Sequence, residues 1–226
     1  MCGLCVKTDI LIFYRKRVGQ SAAAAVWGVN PGAVLPKTFP MSLEEFDNPW
    51  EKVSTRVVYD NPWIRVREDA VVRPDGRPGI YGVVHFKNIA VGVLAVEGEM
   101  LYLVGQYRYT LERFSWEIPE GGCPQGEEPL EAARRELEEE AGLRARHWFK
   151  MGEAHLSNSV SDELAIWFLA KELEQGERRP EGTEKLLVRR VSLRESLEMV
   201  NSGEITDALS VLAIQQLHLR PDLLRG

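Results

Sequence analysis

Cysteine is scarce in these 226 residues: Cys2, Cys5 and Cys123 are all there are. Three thiols do not make a disulfide framework, which points to a reducing compartment, read as the cytoplasm. Cys2 and Cys5 form one C-x-x-C, but no second pair of ligands stands at a spacing that zinc would use. Also missing is any apolar run approaching the roughly 20 residues of a membrane span. The stretch Ile10 to Tyr14 is too short for a secretory core and is followed, not preceded, by its densest charges, Arg15, Lys16 and Arg17. Positive charge is not in excess either. With 28 basic and 34 acidic residues the formal net charge is −6, so there is no general basic footprint for nucleic acid or an anionic membrane. An acidic chain that handles a polyanion needs local cations, and a bound metal is the obvious source. Internal repeats, a low-complexity core and a strict βαβ rhythm are likewise lacking.

Acidic residues are almost absent from residues 1–43, which hold only Asp9. This stretch reads as a poorly ordered tail, with Met41 as an alternative start and an organelle transit peptide left open by the acid-poor composition. Residues 44–86 read as an N-terminal antiparallel β unit. Within it, Val57 to Tyr59, Ile64 to Val72 and Ile80 to Phe86 are strand-like, and Arg73 to Gly79 is a Pro- and Gly-marked turn. Residues 87–220 read as the main domain. Its strands are expected at Ile89 to Val96 and Met100 to Tyr107 around the Glu97-Gly98-Glu99 hairpin loop, then at Phe114 to Ile118, Arg144 to Glu153, Leu164 to Leu173 and Leu186 to Val191. Ser192 to Glu195 is a capping box that starts a helix ending near Gly203. Thr206 is the expected cap of a last helix, in which Leu209, Leu212, Ala213 and Leu217 share a face.

The most informative stretch is Gly121 to Leu143, read as a loop followed by a helix. Pro129 suits the first helical position and Gly142 the position just past the end. Leu130, Ala133, Leu137 and Ala141 fall within about 80° of arc at 100° per residue, a narrow apolar stripe. Glu136, Glu139 and Glu140 stand at i, i+3 and i+4 on another face. Like charges so placed destabilise a helix by roughly 0.2–0.5 kcal/mol per pair. A solvated acidic face is one reading; a site for a hard divalent cation, which would cancel the repulsion, is the other.

The wider spacing decides between them. Gly121, Glu127, Arg135, Glu136, Leu137, Glu139, Glu140, Gly142 and Leu143 match Gly-x5-Glu-x7-Arg-Glu-U-x-Glu-Glu-x-Gly-U, with U a bulky aliphatic. Nine constrained positions arise by chance on the order of once in a billion starts. The stretch resembles the Nudix box, the signature of the Nudix hydrolases, at every motif position. The resemblance implies an α+β fold, an α/β/α sandwich with a mixed sheet between helices, here with N-terminal antiparallel strands added. It implies Mg²⁺ or Mn²⁺ as cofactor, with Glu136 and Glu140 as main ligands, Glu139 close by, and the backbone carbonyl of Glu120 in the metal shell. It makes Arg135 the residue that holds the carboxylates, and Gly121, Glu127 and Gly142 structural parts of the motif.

Outside the box, Leu156 to Glu163 is similar to the loop that carries the general base in the ADP-ribose pyrophosphatase branch, which makes Glu163 a candidate base. Glu139, the base in other branches, is the alternative. Gln106-Tyr107-Arg108 and Trp116 to Gly121 resemble segments before the box in the same branch. Arg108 is then a candidate phosphate contact and Glu117 a candidate ribose contact. Trp63, Tyr107 and Trp116 stack on a base or pack the core. That branch usually carries a Pro 15 or 16 residues after the box, where this chain has Asn158 and Ser159. The expected substrate is therefore a nucleoside diphosphate sugar, of ADP-ribose or GDP-mannose type, cleaved to NMP and sugar phosphate. Coenzyme A, a dinucleotide polyphosphate, an oxidised nucleotide or a capped RNA remain alternatives within the family, and a non-enzymatic nucleotide-sugar sensor outside it. The expected partners are a small nucleotide and a second copy of the chain, with residues 51–86 reaching across a homodimer; nucleic acid and membrane are not expected.

Overall fold

The computed structural model describes residues 47–178 and 185–224, and the elements below all belong to the unit Asn48–Gly226. The expectations for residues 1–43, with Cys2 and Cys5, fall outside the described residues. Three strands come first: β1 (Glu51–Asp60), β2 (Ile64–Val72) and β3 (Pro78–Phe86), joined as an antiparallel sheet in the order β1-β2-β3. Every residue of β1 is exposed.

The second sheet holds β4 (Ile89–Glu97), β5 (Met100–Arg108), β6 (Arg113–Glu117), β7 (Glu120–Cys123), β8 (Leu143–His155), β9 (Leu164–Gln175) and β10 (Leu187–Ser192). Its main path is β10-β5-β4-β9-β8. The β4–β9 pair is parallel and the others are antiparallel, so the sheet is mixed. Strand β4 is almost wholly buried because its side chains alternate between two cores. Val91, Val93 and Ala95 pack with Ala132, Ala133 and Leu137, while Leu94 and Val96 pack with Met199, Leu209, Ala213 and Leu217. Helix α1 (Pro129–Glu136) thus covers one face, and α2 (Leu193–Ser202) with α3 (Ala208–Leu219) covers the other. This is the expected α+β sandwich.

Strands β4 and β5 pair only through Val96–Leu101 and Glu97–Met100, next to the two-residue turn at Gly98, whose φ of 60° suits glycine. Beyond that they separate, and β6 and β7 fill the gap: β6 pairs with the far half of β5, and β7 with the first half of β4. The insertion brings Glu117 and Glu120 to one cleft. The segment Glu120–Cys123, expected as loop, is therefore a strand. Its two glycines are poor strand formers by themselves, and pairing with Ile89 to Gly92 imposes the extended backbone.

Three further expectations are corrected. The acidic helix is α-helical only to Glu136; Leu137–Ala141 forms a π-helical turn before Gly142, which adopts φ 67°. Thr206 is not the cap of α3: Asp207 is, accepting the Ser210 N–H at 2.7 Å, and the buried face is Leu209, Ser210, Ala213, Ile214 and Leu217, with Leu212 outward. In α2, Ser192 caps as expected by accepting the Glu195 N–H at 3.0 Å, but the Glu195 carboxylate turns to Arg189 instead of closing the box.

Leu94 is fully buried at the centre of the larger core. Leu94→Ala is expected to cost about 2–5 kcal/mol, and Ser192→Ala about 0.5–2 kcal/mol, both read by urea denaturation. A Leu94→Ala loss no larger than the Ser192→Ala loss would contradict this placement.

Candidate active site

The site begins with a contact that only glycine allows. A Cβ on Gly121 would stand 2.2 Å from the Glu136 carboxyl carbon. The bare backbone of β7 therefore lets the helix carboxylate lie against it. Next to it, the Glu120 N–H donates to Glu140 Oε2 at 2.9 Å. Glu136 and Glu140 both reach β7, and Glu139 shares the Arg135 guanidinium with Glu136. Glu140 is 1% exposed and points inward, and Glu136 lies over Gly121. Glu139 is about one-third exposed, on the outer side. π turns of this kind frequently occur at functional sites.

Arg135 ties these groups together. Its Nη1 donates to Glu136 Oε1 at 2.7 Å and to Glu139 Oε2 at 3.2 Å; its Nε and Nη2 fork onto Glu127 at 3.2 and 3.0 Å; its Nη2 also reaches the Gly122 carbonyl at 2.9 Å. The hydrogen bonds to Glu127 and the charge of Glu136 raise its pKa, so it is a permanent cation. Among the described residues no three acidic, His or Cys side chains converge as a ready ligand set. What gathers the carboxylates is this guanidinium. The donor set nevertheless suits a hard cation, since it consists of carboxylate oxygens and a strand backbone that approach one another without an intervening Cβ. Gly142 at the left-handed position ends the segment.

The second cluster lines a cavity of about 600 Å³ bounded by Trp63, Arg108, Glu117, Glu120, Gly121, Glu163 and Asp207, among others. Arg108 forks onto Glu117, with Nε to Oε1 at 2.9 Å and Nη2 to Oε2 at 2.5 Å, and its Nη2 also reaches Glu120 Oε1 at 2.8 Å. The two candidate substrate contacts are thus each other's partners. Burial would draw the Arg108 pKa down, but Glu117 and Glu120 outweigh it and the pKa is raised. The other Glu120 oxygen, Oε2, is buried with no hydrogen-bond partner. Burial, followed by the charges of Asp207 and Glu117, lifts the Glu120 carboxyl well above the ordinary value. Burial and then Asp207 likewise raise Glu163.

Of the expected aromatics, only Trp63 borders the cavity. Tyr107 is exposed, and Trp116 packs edge-on against Phe114 with Arg189 over its ring. Asp207 escapes the sequence reading because Thr206 beside it is also a capping type, although Asp ranks above it. The signal was there: an acid at a helix start, three residues before Ser210. Cys123, which falls within the box, is a buried free thiol against the Glu127 carbonyl, and burial raises its pKa.

Residues 50–84 match the nucleoside diphosphate sugar hydrolase N-terminal domain, and residues 86–217 match the NUDIX domain. The ADP-ribose pyrophosphatase of Bacillus subtilis is 35% identical over 185 residues, covering 80% of this chain and 97% of that protein. The methanol dehydrogenase activator of Bacillus methanolicus is 30% identical over 174 residues, covering 76% of this chain and 94% of its own length. A crystal structure of an ADP compounds hydrolase superposes with a TM-score of 0.70 at 20% identity, over 78% of this chain and 95% of that one, a likeness of fold. With its box complete and the domain matched from residue 86 to 217, the chain belongs to the NUDIX family, the Nudix hydrolases.

Proposed function

We propose that this chain hydrolyses the diphosphate bond of a nucleoside diphosphate sugar, with ADP-ribose the first substrate to test, giving AMP and ribose 5-phosphate. The observation that carries this reading is the cavity of about 600 Å³ in which Glu163, Arg108, Glu117 and Glu120 meet Gly121 of the box. The N-terminal domain match and the names of the B. subtilis relative and the ADP compounds hydrolase support the substrate class.

Members of the family generally need a divalent metal. Mg²⁺ or Mn²⁺ is proposed here, held by Glu136 and Glu140, with Glu139 beside them and the Glu120 carbonyl completing the protein's share. Such an ion supplies charge neutralisation at the phosphates and a lower pKa for water. The chain's own residues do the rest. Arg135 holds the box carboxylates in register. Glu163 takes the proton of the attacking water as its oxygen bonds to phosphorus and the bridging P–O bond breaks, leaving the released phosphate as the leaving group. Glu163 is preferred to Glu139 as base because it borders the cavity while Glu139 is tied to Arg135. Arg108, fixed by Glu117 and Glu120, presents its remaining N–H groups to a phosphate, and Glu117 meets the ribose only if that fork rearranges.

The first sheet leaves Val53, Val57, Tyr59 and Ile80 exposed, an apolar surface that a second copy of this chain is proposed to cover. The division of the described residues into a β unit ending at residue 86 and a hydrolase domain from residue 87 is part of the same proposal. No helix among the described residues is long and apolar enough to cross a membrane. A reducing cytoplasmic setting suits the free thiol of Cys123.

With ADP-ribose and Mg²⁺, Glu163→Gln is expected to lower kcat by about 10²–10⁴-fold. Because the Glu163 pKa lies above the ordinary 4.5 and the base must be ionised, wild-type kcat/KM rises with pH through that raised value; the limb disappears in the variant. A variant that kept both rate and limb would assign the base to Glu139. In light scattering the wild type should have the mass of two chains, and Val57→Glu with Ile80→Glu that of one. A monomeric wild type would overturn the dimer.

A further inference from the structure

Strand β3 does more than close the first sheet. It grips the loop between β8 and β9 that ends in Glu163, at Asp162 and the three residues before it. The Tyr81 hydroxyl donates to the Ser159 carbonyl at 2.7 Å, and the Val84 N–H to the Val160 carbonyl at 2.8 Å. The Asp162 N–H donates back to the Val84 carbonyl at 3.2 Å. The Asp162 carboxylate then takes two bonds from β3: the Phe86 N–H reaches Oδ1 at 3.0 Å, and His85 Nδ1 lies 2.6 Å from Oδ2. Val84 and Ser161 form a short parallel bridge in the middle of this seam.

Glu163 is the next residue. On its other side its carbonyl accepts the Leu156 N–H at 3.2 Å, which closes the loop at the base of the β8–β9 pair. The backbone of Glu163 is therefore held between a hairpin end it belongs to and a strand of another sheet. Inside the loop the remaining bonds are local, with Val160 and Ser161 both turning back to the Ser157 carbonyl. Nothing in that turn aims the loop at the cavity; the bonds to β3 do.

We propose that Asp162 is the positioning residue of the hydrolytic site: through His85 and the Phe86 N–H it fixes the reach of Glu163 into the cavity, and so makes the first sheet a working part of the site. The proposal rests on the reading of Glu163 as base. The exposure of the pair argues for positioning over stabilisation. His85 and Asp162 are 44% and 46% exposed, and a side-chain contact so wet adds little to global stability. Its directional bonds still select one loop conformation, and a displacement of the base by about 1 Å is enough to cost on the order of 100-fold in rate. Phe86 extends the same logic, since its side chain borders the cavity while its N–H holds Asp162.

The test is a double-mutant cycle in the full chain, with ADP-ribose and Mg²⁺, alongside hydrogen exchange over residues 156–163. Asp162→Ala should lower kcat about 10–100-fold with KM changed less than about threefold, and should speed exchange of the loop amides while leaving the midpoint of unfolding nearly unchanged. In the Glu163→Gln background the same substitution should cost almost nothing, because a residue that acts through the base has nothing left to position. His85→Ala, which leaves the Phe86 bond in place, should give a smaller loss of the same kind, and covers the case in which Asp162→Ala does not fold. Wild-type kcat in both variants, or a loss that adds in full to that of Glu163→Gln, overturns the positioning role and leaves the hydrolase reading standing. Full activity in Glu163→Gln alone removes the base and, with it, the positioning role.

Discussion

Crowded negative charge is the constraint from which the rest of the structure follows. Two glutamates of one helical segment, Glu136 and Glu139, and a third from the preceding loop, Glu127, are gathered on a single guanidinium, Arg135, with Glu140 held beside them by the Glu120 N–H. Left alone, such a cluster would repel and weaken the helix end. Arg135 offsets part of that repulsion and pins the cluster to the Gly122 carbonyl of β7. The missing Cβ at Gly121 then allows Glu136 to lie against the strand. Helix, guanidinium and glycine strand are one device, and none of them positions the acids without the other two.

The sheet is built to bring that device to a cleft. Were β4 and β5 paired along their whole length, β7 would have no partner and the box no backing. Their early separation opens a wedge that β6 and β7 fill. The same wedge places Glu117 and Glu120 at the mouth, where Arg108 binds both. Asp207 enters from α3, and its charge helps to keep the Glu120 and Glu163 carboxyls raised. The opposite wall comes from the loop before β9, which is held by the first sheet. Two sheets with separate hydrogen-bond ladders thus meet at one cavity.

Much of this was legible in the residues. Pro129 and Gly142 bound the acidic segment, Ser192 and Gly203 bound α2, and Gly98 marks the β4–β5 turn, because each position has a backbone demand that few residue types meet. The box was legible because its spacing is long and every position in it is constrained. The misses share another cause. Strand β7 is a strand only through its partner, so its glycines read as loop. The π turn at Leu137–Ala141 changes the step between residues, which a fixed 100° per residue cannot register. Thr206 and Asp207 are both good caps, and only the chain path chooses. The Arg108–Glu117 fork links residues nine apart across a strand pair, and the grip of β3 on Asp162 links residues 77 apart. Neither has a local signature.

These carboxylates are proposed to gather a divalent ion. The most direct measurement is a titration of the wild type and Glu136→Gln with Mn²⁺, followed by electron paramagnetic resonance of the free ion in the absence of nucleotide. Binding by the wild type that weakens about tenfold or more in the variant is the predicted result, by analogy with the loss on altering a metal site's ligand sphere. Equal binding by both proteins, or none by either, would contradict it.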